Sequence, residues 1–177
     1  ILDEVQCGMG RTGTIMTYFQ YDILPDILCL AKGIGAGFPM GAFVANKKFA
    51  AAMEPGDHGS TYGGNPMAGQ ACRTVFKILE ETKMIDHVQD ISEYLIEKLD
   101  DLKDKYPCIK ERRGLGLMIG LEFDRPVKDI VKTCLDNGLI VVTAGANVVR
   151  MLPPFITTEE DVDQAIAILD QAIEKNI

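Results

Sequence analysis

Apolar side chains recur every three to four residues over much of the second half of the chain, a period that predicts amphipathic helices. The longest helix is predicted from Asp86 to about Lys103. Its apolar face consists of Val88, Ile91, Leu95, Leu99 and Leu102. A second helix is predicted around residues 129–136, with Asn137-Gly138 as its end. The last is predicted to begin at Thr158, which has the spacing of a capping box with Asp161.

Short apolar stretches between these helices predict strands. One is Leu117–Phe123, which follows a glycine-bounded turn, and another is Leu139–Thr143. Nearer the amino end, Asn65-Pro66 predicts a helix start, with an N-cap followed by proline at the first helical position. The side chains that this helix is expected to bury are Ala68, Ala71, Val75 and Ile78. The alternation predicts an α/β protein with a two-layer piece at its carboxy end.

Glycine divides the chain into two regions. Residues 1 to about 82 contain 12 of the 17 glycines, in short turns between apolar segments, whereas residues 83–177 form a plainer succession of helices and strands. Glycine is used where the backbone takes a positive φ or approaches a ligand closely. We therefore expect two domains, with the chemistry concentrated in the first.

Composition excludes several classes of function. With 47% hydrophobic and 25% charged residues the chain is typical of a globular protein, and its formal charge of −8 argues against binding a phosphate backbone. The short basic cluster Lys110–Arg113 is interpreted as solvated surface. The stretch Ile27–Ala45 contains a lysine, a proline and four glycines, which makes it a poor membrane span.

The five cysteines are odd in number and scattered, without the spacing of a zinc or redox motif. Free thiols in a reducing compartment are the simplest interpretation, and a cytoplasmic location is the expectation. No metal site is expected. The chain opens on Ile1-Leu2-Asp3-Glu4, an apolar run that meets acids, which is typical of the interior of a protein. We expect that a large amino-terminal portion is absent.

Two familiar nucleotide motifs are only partly matched. Residues Gly8–Gly13 satisfy G-x-G-x-x-G, but the following Thr12–Tyr18 stretch is rich in threonine, isoleucine and aromatic residues rather than helix formers. The acidic end of Ile1–Glu4 is typical of an ATPase strand, yet no phosphate-binding loop with its lysine is present. Neither nucleotide hypothesis is favoured.

Five residues, at four places in the chain, carry candidate chemistry. Asp3 ends an apolar strand, where α/β proteins place functional groups. Lys32 lies in an apolar, glycine-rich setting, so it is either a surface residue or an amine poised to bind a carbonyl. The hydroxyls of Ser60-Thr61 precede a glycine pair and a helix start, an arrangement that forms a turn or binds an anion. Arg150, at the end of a strand, is a salt-bridge partner or a carboxylate clamp.

Four segments taken in order resemble class III aminotransferases over essentially the whole chain. They are Asp3–Gly13, Pro25–Gly33, His58–Pro66 and Arg150–Pro154. The likeness is greatest to the members that act on N-acetylornithine, with those that act on ornithine next. The resemblance implies the carboxy-terminal part of a pyridoxal-phosphate-dependent transferase fold of type I. Residues 1–82 would be the last portion of the cofactor-binding large domain, and residues 83–177 the small α/β domain.

The resemblance also implies roles for residues near the cofactor, pyridoxal 5′-phosphate. Asp3 matches the acid that pairs with the protonated pyridine nitrogen, which lets the ring act as an electron sink. Val5 matches a residue that packs on the ring, Gln6 one that hydrogen-bonds near the phenolic oxygen, and Glu4 is taken with them as a cofactor contact. Lys32 matches the lysine that holds the cofactor as a Schiff base and then moves a proton as general acid and base.

The remaining matches lie on the substrate and phosphate sides. Thr61 matches the threonine that reaches the cofactor phosphate across a dimer interface, which implies a homodimer. Ser60 matches a substrate-side position, and Arg150 the arginine that clamps the substrate α-carboxylate. The expected partners are a small-molecule amino donor and a 2-oxo acid, with no nucleic acid and no membrane.

The expected reaction is transfer of an amino group from N-acetylornithine to 2-oxoglutarate, within arginine biosynthesis. In the family, the phosphate cup, a ring-stacking aromatic residue and a second substrate arginine precede the Asp3 position, so this chain alone is expected to have little or no activity. Two alternatives stay open. One is a class III enzyme for ornithine, 4-aminobutyrate or another ω-amine, and the other is a non-catalytic folding or interaction module.

Overall fold

The computed structural model describes residues 1–177 and divides them into two compact units, Ile1–Ile85 and Asp86–Ile177. Both contain a β-sheet with helices beside it, so the predicted α/β class is confirmed. None of the helices combines the length with the apolar character that a bilayer crossing requires. The assignment of the two regions to a cofactor-binding domain and a small domain stays a prediction.

The first unit contains a three-stranded sheet in the order β1-β2-β3. Its strands are β1 (Leu2–Asp3), β2 (Ile27–Ala31) and β3 (Gly41–Ala45). β1 is parallel to β2, whereas β3 is antiparallel to β2. The helices are α1 (Lys47–Ala50) and α2 (Pro66–Glu81), with two 3-10 turns at Thr17–Gln20 and Lys32–Gly35. The parallel pair matters most for the site, because it brings two strand ends to one edge of the sheet.

α2 begins where the sequence predicts it. The side chain of Asn65 accepts hydrogen bonds from the N–H groups of Met67 and Ala68, and proline occupies the first turn. Of the four residues predicted to be buried, Ala68, Ala71 and Val75 are half-buried and Ile78 is 48% exposed, and Leu79 is the buried residue of the helix instead. Residues three and four positions after Val75 both lie on the same side of a helix as Val75. Packing buries the one four positions later, Leu79, and leaves Ile78 exposed.

The second unit contains a four-stranded antiparallel sheet in the order β4-β5-β7-β6. Its strands are β4 (Ile109–Leu115), β5 (Met118–Phe123), β6 (Val142–Thr143) and β7 (Val148–Met151). The helices are α3 (Met84–Lys105), α4 (Lys128–Asp136) and α5 (Glu159–Asn176). All three predicted helices are confirmed, as is the capping box between Thr158 and Asp161.

One face of this sheet and the apolar faces of α3, α4 and α5 form the core of the second unit. All five side chains predicted for that face of α3 are buried, and β5 alternates between half-buried and buried residues along its length. Ile119, Leu121 and Phe123 are its buried members. Each such side chain contributes about 1.5–3 kcal/mol by leaving water. The sheet therefore has one covered face and one open face.

One predicted strand is shorter than expected, and one strand was not predicted. The stretch Leu139–Thr143 forms a strand only at Val142–Thr143, because the N–H of Leu139 donates to the Cys134 carbonyl at the end of α4 and Ile140 is 80% exposed. The cluster Lys110–Arg113 is exposed as expected, except for the half-buried Arg112, but it lies on strand β4, which the sequence did not predict. Its pattern carries too many charges to predict a strand, yet an edge strand needs only one apolar contact face.

Candidate functional site

Asp3 and Lys32 lie at the same edge of the first sheet. The parallel register pairs Leu2 with Leu28 and Asp3 with Cys29, so β1 ends at Asp3 beside the middle residue of β2. β2 ends at Ala31, and Lys32 is the next residue. Both side chains are exposed. The fold thus brings an acid and an amine that lie 29 positions apart in sequence to the crevice edge where α/β proteins bind ligands.

Lys32 opens a tight turn in a strained conformation. Its φ is +49°, in the left-handed region, and it begins the 3-10 turn Lys32–Gly35. A residue with a Cβ pays about 1–3 kcal/mol for such a conformation, and strain of this kind is concentrated at functional sites. A Cβ placed on Gly33 would lie 3.1 Å from the Cβ of Met9, a buried residue of the glycine-rich loop. The lysine-bearing turn therefore rests on that loop, and glycine at position 33 permits the close approach.

The turn after Asp3 holds Val5 and Gln6. The N–H of Val5 donates to Asp3 Oδ1 over 2.9 Å, and the thiol of Cys7 donates to the Asp3 carbonyl over 3.7 Å. Val5 is half-buried and Gln6 is exposed. The Asp3 carboxylate is thus oriented by its own turn while it faces solvent. The cofactor roles of these residues stay predictions.

Glu4 has an internal task that the sequence did not indicate. It is 3% exposed, and its two carboxylate oxygens accept hydrogen bonds from the N–H groups of Thr17 (2.7 Å) and Tyr18 (2.8 Å). Its own N–H donates to the Cys29 carbonyl, which continues the β1–β2 pairing by one residue. Glu4 therefore fixes the end of β1 to the start of a 3-10 turn. Its role as a cofactor contact stays a prediction, and these hydrogen bonds give it a different task within this unit.

The G-x-G-x-x-G loop folds upon itself. The hydroxyls of Thr12 and Thr17 are 2.8 Å apart, the Thr17 hydroxyl donates to the Cys7 carbonyl over 2.7 Å, and the Gln20 amide donates to the Thr12 carbonyl over 2.9 Å. Burial lowers the pKa of Arg11, although a guanidinium stays charged. The element that follows is a 3-10 turn of four residues. The loop lacks the α-helix whose amino end binds pyrophosphate in dinucleotide sites.

Ser60 and Thr61 are both exposed in the loop before α2. Ser60 lines a groove of about 660 Å³ that also includes Phe38, Met40 and Tyr62. Because Asn65 already accepts from two N–H groups of the first helical turn, an anion here would rely more on hydroxyls than on those two amides. α2, which follows this loop, packs against the turn that begins at Lys32.

Arg150 belongs to the second unit. It is the third residue of β7 and is half-buried on the open face of the sheet, where Gly120 of β5 and Val142 of β6 are its cross-strand partners. Arg113 of β4 is the cross-strand partner of Gly120 on its other side. Sequence reasoning missed Arg113, Met9 and Gly33. Strand alternation in β4 would have placed Arg113 on the face of Arg150, had β4 been predicted as a strand.

The sequence model of the class III aminotransferases matches residues 1–173. The acetylornithine aminotransferase of Clostridium acetobutylicum is 46% identical over 175 residues, which are 98% of this chain and 45% of that protein. That of Methanocaldococcus jannaschii is 46% identical over 171 residues, which are 97% of this chain and 43% of that protein. The chain thus spans less than half the length of these relatives.

Solved structures show the same relationship in three dimensions. The ornithine aminotransferase of Plasmodium yoelii superimposes with a TM-score of 0.91 at 32% identity, over 98% of this chain and 47% of that one. The acetylornithine aminotransferase of Elizabethkingia anophelis does so with a TM-score of 0.89 at 28% identity, over 97% of this chain and 44% of that one. The resemblance found in the sequence is therefore confirmed, and the chain belongs to the class III aminotransferase family.

Proposed function

We propose that the protein represented by this chain transfers an amino group from N-acetylornithine to 2-oxoglutarate with pyridoxal 5′-phosphate as cofactor. The observation that carries the proposal is the meeting of Asp3 and Lys32 at one sheet edge, in a chain 46% identical to acetylornithine aminotransferases. Members of this family depend on that cofactor. Its protonated ring, when bound, withdraws electrons from the carbon that bears the amino group.

The exposed groups at this edge fit such a cofactor chemically. A carboxylate suits a protonated ring nitrogen, and a primary amine suits an aldehyde. Asp3 would hold the ring nitrogen in its protonated form, and its hydrogen bond from the Val5 N–H keeps the carboxylate oriented. Val5 and Gln6 would complete this side of the cofactor. Nζ of Lys32 would accept the proton from the donor carbon that bears the amino group and deliver it to the cofactor within the same half of the reaction. In the second half it would move a proton in the opposite direction, from the cofactor to the acceptor carbon.

The substrate side would use Arg150 and Ser60, which match substrate-side positions of the family. Arg150 would bind the substrate carboxylate, because a planar guanidinium offers two parallel hydrogen bonds to a carboxylate. Ser60 would contact the substrate from its groove. Thr61 would reach the cofactor phosphate of a second copy of the protein, so the working unit would be a homodimer. The reaction would serve arginine biosynthesis in the cytoplasm.

A second candidate is ornithine as the amino donor. The likeness to the Plasmodium yoelii ornithine aminotransferase favours it, at a TM-score of 0.91. The chain is 46% identical to the acetylornithine aminotransferase of Clostridium acetobutylicum but 32% identical to that ornithine aminotransferase, and this difference favours the acetylated donor. The two donors differ in the charge of the α-amino group, which acetylation removes, so the substrate pocket distinguishes them by electrostatics.

The test is a transaminase assay of the protein at the full length of its relatives, with acetylated ornithine, free ornithine and 4-aminobutyrate as donors. We expect the highest kcat/KM with the acetylated donor and no activity after Lys32→Ala. Equal or better activity with free ornithine would assign the second function. The 177-residue chain alone is expected to have little or no activity, and a rate near that of the full-length protein would contradict this part of the proposal.

A further inference from the structure

The glycine-rich loop Gly8–Gly13 has no task in the proposed function, although it contacts the turn after Asp3 and the turn of Lys32. Its first residue is fixed to the turn after Asp3, because the N–H of Gly8 donates to the Glu4 carbonyl over 3.1 Å. A Cβ on Gly8 would lie 2.8 Å from that carbonyl oxygen, so only glycine permits this approach. The loop therefore starts from a point fixed to the residue next to Asp3.

Met9 is the residue by which this loop contacts the turn of Lys32. It is 3% exposed, and a Cβ built on Gly33, the residue after Lys32, would lie 3.1 Å from its Cβ and 3.7 Å from its Cγ. The N–H of Gly10, the next residue of the loop, donates to the Ile15 carbonyl over 3.2 Å. Met9 is thus a buried support of the lysine turn, in a loop that hydrogen bonds hold on both sides of it.

The backbone of Lys32 needs such a support. Met9 and Lys32 have φ values of +58° and +49°, in the left-handed region where a non-glycine residue persists only if its surroundings over-determine it. A 3-10 turn by itself has negative φ values, so the turn does not account for the conformation of Lys32. Met40 contacts the far end of the turn, where a Cβ on Gly35 would lie 2.9 Å from its Cγ. Of these two methionines, Met9 contacts the residue next to Lys32.

We propose that Met9 is a positioning residue, which holds the backbone of Lys32 in the conformation from which its amine reaches the cofactor. The inference rests on the proposed function, in which Lys32 is that amine. Because the amine lies at the end of a long side chain, a rotation of the backbone displaces it strongly, and a displacement of about 1 Å lowers a rate up to about 100-fold. Since the loop also contacts Glu4, Met9 sets the turn of Lys32 against the turn after Asp3.

The first test measures how fast Lys32 combines with the cofactor. The cofactor is removed from the protein at the full length of its relatives, pyridoxal 5′-phosphate is added back, and borohydride traps the product at timed intervals. Mass spectrometry then gives the yields at Lys32 and at the exposed Lys47 of the same unit. A left-handed residue that loses its support favours an ordinary conformation by about 5- to 150-fold. Met9→Ala is therefore expected to lower the rate at Lys32 about tenfold and to leave the rate at Lys47 unchanged, whereas Met9→Leu, which conserves volume, stays within about twofold.

Met16→Ala is the matched control, because Met16 is a second buried methionine of the same unit. It should lower the free energy of unfolding in urea to a similar extent and leave the rate at Lys32 within about twofold. An unchanged rate after Met9→Ala, or equal falls after Met9→Ala and Met16→Ala, would overturn the proposal. Met9→Gly, which suits a φ of +58°, replaces the alanine variant if that variant does not fold.

The second test needs no cofactor. Amide hydrogen exchange is followed at Ala36 in the cofactor-free protein, because its N–H donates to the Gly33 carbonyl over 3.2 Å and so reports on the lysine turn. We expect exchange about tenfold faster in Met9→Ala and unchanged in Met16→Ala. Unchanged exchange in Met9→Ala would contradict the supporting role of Met9. Failure of the proposed function is distinguishable, because the wild-type protein would then be labelled at Lys47 as readily as at Lys32.

Discussion

Replacing Glu4 by glutamine tests whether its carboxylate anchors the end of β1. The carboxylate is almost fully buried and accepts from two backbone N–H groups, at 2.7 and 2.8 Å. A glutamine has one oxygen and one NH₂ group, so it retains one of these bonds and presents a donor to the other N–H. The loss of a bond to a charged acceptor costs about 1.5–3 kcal/mol, and an unsatisfied buried N–H costs about 1–3 kcal/mol. Because the two costs overlap, we expect Glu4→Gln to lower the stability of this turn against opening by about 3 kcal/mol.

Amide hydrogen exchange measures this loss of stability directly at the two N–H groups that donate to Glu4, those of Thr17 and Tyr18. About 3 kcal/mol corresponds to exchange roughly 150-fold faster at the amides of Thr17 and Tyr18. Glu80→Gln is the matched control, because Glu80 is exposed on α2 of the same unit, and it should leave both amides unchanged. Exchange in Glu4→Gln within about threefold of wild type would refute the anchoring role.

Three further outcomes concern the second unit. Gly114 has a φ of +126°, and a Cβ on it would lie 2.1 Å from a backbone carbonyl oxygen. Gly114→Ala should therefore lower the free energy of unfolding in urea by about 4 kcal/mol, whereas Gly145→Ala, where a Cβ would meet no other atom, should lower it by about 1 kcal/mol. Equal losses would contradict the steric argument. The hydrogen bond from Arg112 lowers the pKa of Asp100, so the ion pair stabilises the fold above about pH 4 and this stability is lost as the pH falls through the lowered pKa. In Asp100→Asn, the fall in the free energy of unfolding between neutral and acid pH should be smaller by at most about 1 kcal/mol. An unchanged pH dependence of unfolding would argue against the pair. Burial raises the pKa of Cys134 to about 11, so native alkylation followed by mass spectrometry should leave it unlabelled at pH 8, and rapid labelling there would contradict the burial.

Local pattern was sufficient for the helices of the second unit. The five apolar residues of α3 lie on one face because of the helical period alone, and the capping box of α5 is contained within four residues. β4 was not predictable in the same way. Its Arg112 is half-buried because Asp100, on α3, accepts two hydrogen bonds from it, and this partner is not evident from the strand sequence.

The candidate site, too, was predictable only in part: its residues could be chosen from the sequence, but their arrangement could not. The resemblance to class III aminotransferases singled out Asp3, Lys32 and Arg150, because for each of them the residue alone favoured an ordinary capping, surface or salt-bridge role. The parallel register that brings Asp3 and Lys32 to one edge depends on pairing between segments about 25 residues apart. The task of Glu4 depends on donors 13 and 14 residues away. Such non-local partners follow from the fold and cannot be deduced from the period of the sequence.

The central claim is that Lys32 holds the cofactor, and covalent trapping tests it most directly. The protein at the full length of its relatives is incubated with pyridoxal 5′-phosphate and reduced with borohydride, and the modified peptide is mapped by mass spectrometry. Lys47 and Lys48 are internal controls, because both are exposed lysines of the same unit. We predict selective modification of Lys32, with none after Lys32→Ala. Equal modification of all three lysines, or modification that persists in Lys32→Ala, would contradict the assignment.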